Sequence, residues 1–494
     1  MDSLGSAQEI NIPNLTWFNV SDPPCLDRLS GHLVILNFWN YSSMTSLHLQ
    51  NELKRIERRY PDEVIVISVH SPRFLVDKRE KNLRAALERY SITFPVAQDE
   101  NLVLWERYGI KDWPTVVVIS PKGEILFKEL CGTDISGLDK RIHTFLQEAK
   151  ARGEMSSEKL TLSATAKPPG NLSYPTRIKE MPCFTSNQKR WALADSGNHQ
   201  IVVFDDDADE MARFGSGQIG MTDGVKGVAR FNQPQGLICS SQEILVADTF
   251  NHAIRRIDLT KDEVSTLAGN GHSGNVFHQQ ESTSRAMLAS VTDLERLGDR
   301  VFFSNAGTHQ ICALDLDSME VRPLAGCGIK GLKDGPGTEA YLAQPAGLHL
   351  DEAAGRLYFT DSSTSAIRYM TLEPPYNVTT LVGQGLYKFG YGGGPYGMAL
   401  TQHPTSVFMC PISKKLWVMD SYNSMVRYLD LDMEMMLDLG REGGWKCADP
   451  HCAPLSEPIG MVVDEGNRIL VADTLNHRVV EYYIPRKIHY TWYE

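Results

Sequence analysis

The feature that most constrains this chain is a phrase it repeats six times. The clearest copy reads Ile469-Leu-Val-Ala-Asp473-Thr-Leu-Asn476-His477-Arg-Val-Val480. Close copies run Leu245-Val-Ala-Asp248-Thr-Phe-Asn251-His252 and Leu193-Ala-Asp195-Ser-Gly-Asn198-His199, and weaker ones centre on Asn305, Asp361 and Asp420. Successive markers lie 53 to 59 residues apart, a period typical of blade-like arrays. Leu470 and Val471 are apolar and β-prone, which suits a strand covered on both faces. Asp473 ends that strand, and its carboxylate is expected to accept backbone N–H groups of the turn. Asn476 is expected to take the left-handed conformation such turns need. One four-stranded unit cannot bury both of its faces, so six must stack around a common axis. The reading is an all-β, six-bladed ring over residues 175–494, with its turns at Asp195, Asp248, Asn305, Asp361, Asp420 and Asp473.

The first 150 residues follow a different rhythm. Leu33–Phe38 and Val64–Val69 are apolar runs of strand length, each followed by a helical stretch. A further strand at Val116–Ile119, a Pro121-Lys-Gly123 turn, a strand at Glu124–Leu130 and a helix from about Ser136 to Ala151 complete an α/β sandwich. This order, with Trp113-Pro114 before the third main strand, resembles the thioredoxin fold. The resemblance puts Pro114 at that fold's cis-proline, facing the turn before the first long helix. Thioredoxins carry Cys-x-x-Cys there, where a helix N-terminus favours the thiolate. Here the two positions are Ser43 and Ser46, preceded by Ser42. Hydroxyls form no disulfide, so the redox chemistry of the fold is not expected. Residues 1–152 are read as this domain and residues 153–174 as a polar linker, in which Glu158–Ser163 has the composition to add a strand to the ring.

Composition closes off several function classes. There are 49 Lys and Arg against 61 Asp and Glu, and ten of the twelve excess acids lie beyond residue 150. An acidic ring repels phosphate, so nucleic acid is not an expected partner. No apolar run approaches membrane-span length, and the N-terminus has no basic leader, so no membrane association is expected. The nine cysteines are odd in number and mostly flank apolar strands, as Cys239, Cys312 and Cys410 do. That pattern predicts packed, reduced thiols and a cytoplasmic location. The Gly-rich stretches 220–227, 269–274, 326–337 and 383–397 read as loops between blades. None contains Gly-Lys-Ser or Gly-Lys-Thr, so none is a phosphate loop.

Both halves together resemble the NHL repeat-containing protein 2 family, a thioredoxin-like domain followed by an NHL-repeat propeller. The resemblance rests on Asn40-Tyr41, Leu47-His48-Leu49, Val69-His70-Ser71, the Trp113-Pro114-Thr115 loop, the repeated Asp-x-x-Asn-His phrases and the Ala-Gly turns at 268–269 and 325–326. The family pattern has Cys-Cys-x-x-Cys where this sequence has Ser42-Ser43-Met44-Thr45-Ser46. It also continues into a further β-domain, whereas this sequence ends at Glu494.

Several other residues are candidates for chemistry. Ser43 with His48 suggests a nucleophile and base, but five residues of helix separate their faces, and Ser43 reads better as a helix cap. His199, His252, His309 and His477 recur at one blade position, which suits turn packing more than zinc ligation. Cys447, His451 and Cys452 offer three possible ligands where structural zinc takes four. No metal or other cofactor is therefore expected. Arg255, Arg256, Arg368 and Arg427 either line a rim that binds acidic peptide or pair with blade carboxylates. Trp39, Tyr41, Phe74 and Trp113 either form an apolar patch around the turn or pack internally. The function expected is a cytoplasmic interaction scaffold, its propeller binding protein or peptide. The alternatives are a thiol oxidoreductase using a displaced cysteine, Cys25 or Cys131, and a metal-dependent propeller lyase or hydrolase.

Overall fold

The computed structural model describes residues 4–131, 136–156, 171–182, 189–275, 277–410, 412–439, 446–447, 453–464 and 467–494. The chain divides into two compact units, Met1–Pro168 and Pro169–Glu494. The first contains Thr16–Phe18 (β1), Leu33–Trp39 (β2), Met44–Arg59 (α1), Val64–His70 (β3), Glu80–Arg89 (α2), Val96–Gln98 (β4), Val103–Arg107 (α3), Thr115–Ile119 (β5), Ile125–Leu130 (β6) and Ser136–Ala151 (α4). Their sheet order is β1-β4-β3-β2-β5-β6. Every residue of β2, β3 and β5 is buried, as expected of strands covered by helices on both faces. β2 runs parallel to β3 and antiparallel to β5. This is the thioredoxin-like α/β arrangement expected from the sequence.

The second unit is a six-bladed propeller. Its inner strands are Pro175–Met181, Pro234–Cys239, Val291–Leu297, Pro345–Asp351, Ser406–Cys410 and Gly460–Asp464. Each begins an antiparallel sheet whose second strand ends at a marker residue. Two of the Gly-rich segments, 220–227 and 383–397, contain strand as well as loop. Gly224–Val225, Glu281–Ser282 and Gly394–Pro395 run antiparallel along the outer strands of blades two, three and five as short fifth strands. The option of an added strand at 158–163 falls outside the described residues. Leu172, Ser173 and Tyr174, read as linker, are buried in the propeller.

The marker carboxylate does more than close a turn. All six markers are fully buried. One oxygen of each accepts a backbone N–H from the lead-in to its own blade's inner strand. The donors are Ser173, Asn232, Ala289, Ala343, Gln402 and Ser456, at 2.6 to 2.8 Å. These N–H groups lie 16 to 22 residues upstream, not in the turn as expected. In five blades the second oxygen meets an arginine: Arg213, Arg255, Arg368, Arg427 or Arg478. Blade three replaces the whole set with neutral residues. Asn305 stands for the Asp, and Cys312 occupies the arginine position. The fifth strand's register then puts Gln280 where Asp223 holds Arg255 in blade two. A lone buried charge costs several kcal/mol, so the charges are present together or absent together.

The left-handed residue is also displaced from expectation. It is the histidine or serine after the Asn or Thr, with φ of 57° at His199, 51° at His252, 59° at His309 and 54° at His477. Asn476 instead donates through Nδ2 to Asp473 at 2.7 Å. The left-handed backbone turns each imidazole to the neighbouring blade, where Nδ1 accepts a backbone N–H. His199, His252 and His309 take Gln233, Ser290 and Gln344 at 3.1 to 3.2 Å. His477 takes Tyr174 at 3.2 Å and so ties the last blade to the first. Arg468 adds to this closure, bonding Asp206 and lying 5.3 Å from the Trp191 ring.

Two predictions follow from these bonds. Asp248→Asn should lower stability by about 3 kcal/mol, because Arg255 is fully buried and loses its fully buried carboxylate partner. Asp248→Asn with Arg255→Cys, which copies blade three, should recover part of that loss in urea unfolding. Equal loss in both variants would contradict the pairing. The second concerns acid. Burial pushes His199 down to about 4, and its bond needs a free lone pair. Its stabilisation is therefore complete above the ordinary value near 6.5, and falls as pH drops from there to about 4. His199→Gln does not titrate, so wild type should lose on the order of 2–3 kcal/mol relative to it across that window.

Candidate functional site

The end of β2 and the start of α1 form the turn that resembles the thioredoxin active site. Trp113-Pro114 is cis. The β2–β5 register, with Phe38 opposite Thr115, places Pro114 beside Trp39 at the turn's entry. Ser43 is the N-cap of α1, in extended conformation, and its Oγ accepts the Ser46 N–H at 3.3 Å. The same oxygen is 2.9 Å from Thr45 Oγ1. Ser46 Oγ accepts the Asn40 N–H at 3.4 Å, and the Ser42 hydroxyl bonds Asn40 Oδ1. All three serines are buried, and each hydroxyl is engaged in holding the turn.

Asn40 is the hub behind them. Its Oδ1 accepts the Ser42 N–H at 2.7 Å, and its Nδ2 donates to Ser71 O at 3.1 Å and Asp77 Oδ2 at 2.8 Å. Asp77 is fully buried and also accepts the N–H groups of Arg73 and Phe74. Burial pushes its carboxyl up, and these donors oppose the rise. His70 stacks on Tyr41 at 5.3 Å and meets the edge of Trp39 at 5.4 Å. Trp39, Tyr41 and Phe74 are all buried. They form packing behind the turn, and the apolar surface patch considered from the sequence does not exist at these three residues. Trp113 is half-buried and packs on Trp105 at 4.6 Å.

The remaining candidates sort by burial. His48 is buried on α1 and held down at about 4 by burial, while the Ser43 hydroxyl is occupied by the cap. Cys131 is the cysteine nearest the proline in the sheet, its N–H donating to Pro114 O at 2.8 Å. Burial pushes its thiol up to about 12, so at neutral pH almost none of it is thiolate. Cys25 is half-buried and opens a turn, its carbonyl accepting the N–H groups of Arg28 and Leu29. Arg255, Arg368 and Arg427 are fully buried on blade carboxylates, and Arg256 pairs with Glu243. The rim of arginines is therefore not present. Among the described residues, no three His, Cys, Asp or Glu side chains converge as metal ligands. The Cys447–Cys452 candidate lies outside the described residues apart from the backbone of Cys447.

Sequence reasoning missed the centre of the ring. At the inner-strand position opposite the residue before each marker, odd blades carry Arg177, Asp293 and Ser406, and even blades carry Gly236, Gly347 and Gly460. Arg177 spans the axis, donating to Asp293 of blade three at 2.7 Å and to Ser406 of blade five. The glycines allow the close approach. A Cβ at Gly236 would lie 2.5 Å from the Asp293 Cα, and one at Gly460 would lie 2.2 Å from Thr176 O. The alternation of Gly with polar residues at one strand position was the available signal.

Comparison with known proteins covers both units. Residues 31–125 match a thioredoxin-like family model, and residues 455–482 match the NHL repeat. The chain is 31% identical to Protein SUPPRESSOR OF QUENCHING 1, chloroplastic, of Arabidopsis thaliana, over 95% of this chain and 46% of that protein. It is 30% identical to human NHL repeat-containing protein 2, over 96% of this chain and 70% of that one. This sequence thus spans about half the length of the Arabidopsis relative. Among solved structures, virginiamycin B lyase from Staphylococcus aureus aligns with 64% of this chain and 87% of its own, at 12% identity and a TM-score of 0.38.

The thiol environment gives a direct check. Alkylation of Cys131 by iodoacetamide at pH 7.5, followed by peptide mass spectrometry, should be at least ~100-fold slower than that of an ordinary exposed thiol. Modification at the ordinary rate would mean that Cys131 is neither buried nor held protonated.

Proposed function

This chain belongs to the NHL repeat-containing protein 2 family, and from that premise we propose that it is a cytoplasmic interaction scaffold whose thioredoxin-like domain performs no redox chemistry. The observation that carries this reading is the Ser43 cap. The atom that would be the attacking sulfur in a thioredoxin is a buried hydroxyl accepting the Ser46 N–H. The second redox position, Ser46, accepts the Asn40 N–H. A hydroxyl has neither the acidity nor the sulfur chemistry to form a mixed disulfide. The positive end of α1 therefore has a neutral oxygen to hold rather than a thiolate.

The displaced-cysteine alternative is disfavoured by the protonated state that burial imposes on Cys131. The cytoplasmic assignment is supported by the free thiols of Cys25, Cys131, Cys239, Cys312, Cys327 and Cys410, which suit a reducing compartment. The propeller supplies the binding surface in this reading: a ring held by buried ion pairs and interblade clasps, carrying loops whose backbone the ring fixes.

Insulin reduction with dithiothreitol as electron source tests the redox half. Wild type should be inactive above the reagent blank. Ser43→Cys with Ser46→Cys should gain measurable reductase activity and a thiol titrating below the free value near 8.5. Wild-type turnover comparable to the double variant would overturn the reading.

A further inference from the structure

The two ends of the propeller differ in chemistry, and topology makes them do so. Turns between first and second strands and between third and fourth strands share one end of each antiparallel blade. Turns between second and third strands share the other end with the loops leading to the next blade. At the former, the third-to-fourth turns of the first five blades are 205–210, 258–263, 315–320, 371–377 and 430–435. They hold fifteen Asp or Glu and one Lys. Asp205, Asp258, Asp315 and Asp430 accept N–H groups of their own turns, so acid is built into four blades there, while the sixth blade's turn carries Arg486 and Lys487.

At the other end exposed acid is sparser, and Asp223 and Asp334 in its loops each pair with a buried arginine. Its marker carboxylates are fully buried. The loop starts 215–222, 269–275, 326–333 and 383–392 contain no Asp or Glu, but they hold Lys330, Lys333 and Lys388. Each loop opens with Gly-x-Gly in which both glycines have positive φ: 107° and 78° at 215 and 217, 92° and 86° at 326 and 328, and 138° and 110° at 383 and 385. The first glycine lies against the neighbouring turn. A Cβ at Gly269 would be 2.2 Å from His252 O, and one at Gly326 would be 2.1 Å from His309 O. Only glycine fits this approach and this backbone. The residues that follow are thrown outward: Ile329 is 52% and Tyr387 70% exposed. Each is followed directly by a lysine, so consecutive loops present an apolar group beside a cation.

We propose that this end is the partner face of the propeller, and that it takes an acidic peptide segment bearing an apolar side chain. Lys330 and Lys388 pair with its carboxylates, and Ile329 and Tyr387 seat its apolar group. On a chain of net charge −12 with an acidic opposite end, such a segment is repelled elsewhere and drawn here. A long polyanion gains less, since it would run from these few lysines onto acidic surface. The inference rests on the reading of the propeller as a protein-binding surface.

Fluorescence anisotropy with the full chain tests it. The probes are a short labelled peptide rich in Asp and Glu with one Leu and one Phe, its Asn/Gln counterpart, its Lys counterpart, and an oligo-uridine of equal length. The acidic peptide should bind at least ~10-fold more tightly than the amide form, with affinity falling as salt rises. Lys330→Glu with Lys388→Glu should weaken it at least ~10-fold, and Asp317→Lys with Asp432→Lys at the opposite end should leave it unchanged. Unchanged affinity in the first variant overturns the proposal, as does tighter binding of oligo-uridine. Preference for the Lys peptide, lost in Asp317→Lys with Asp432→Lys, overturns the face while keeping a protein-binding propeller. Failure of every peptide to bind overturns both.

Discussion

The buried marker side chain at the end of each second strand is the contact on which the propeller depends. One oxygen fixes where the inner strand begins, through a backbone N–H 16 to 22 residues upstream. In five blades the other oxygen fixes the third or fourth strand through an arginine. A carboxylate this deep requires compensation, and the arginine in turn requires it. Blade three satisfies the same rule by carrying no charge at all, with Asn305 keeping the backbone contact at 2.7 Å. Because the markers are consumed in this way, they contribute no charge to the surface of the end of the ring where they lie.

The thioredoxin-like domain follows a parallel logic. Asn40 ties the turn to Ser71 and Asp77, and the hydroxyls of Ser42, Ser43 and Ser46 bond within the turn. The geometry that positions a thiolate in a redox domain is maintained here by oxygen atoms that hold the backbone. A helix N-terminus with its cap satisfied by a neutral serine is stable without any catalytic duty. In the function proposed here the surfaces do the work, and the loop starts after the Gly-x-Gly turns are where apolar and cationic groups are presented together.

Much of this was legible in the sequence because repetition and periodicity are local signals. The six markers, the buried runs of β2 and β3, and the serines at the redox positions could all be read directly. The contacts of the markers could not. Their backbone donors lie at different distances in different blades, so no fixed spacing reveals them. The left-handed position was misplaced by one residue, at Asn476 instead of His477, because Asn is the more usual occupant of that conformation. Here Asn476 is held by Asp473 and the histidine reaches the next blade. The arginines read more readily as partners of blade carboxylates than as a rim, but which carboxylates they meet was not displayed by the linear sequence. The axis plug of Arg177, Asp293 and Ser406 joins residues from three blades, and only the alternation of Gly with polar residues on the inner strands pointed to it.

The central functional claim is that no two cysteines of this protein exchange electrons at the thioredoxin-like turn. Equilibrating the full chain in glutathione buffers spanning about −150 to −300 mV, and reading the intact mass and the disulfide-mapped peptides at each potential, tests it most directly. The account predicts that Cys25 and Cys131 remain reduced thiols across the range, with no two-electron transition assigned to either. A reversible loss of two hydrogens with a midpoint inside that window, mapping to a disulfide at Cys25 or Cys131, would contradict it.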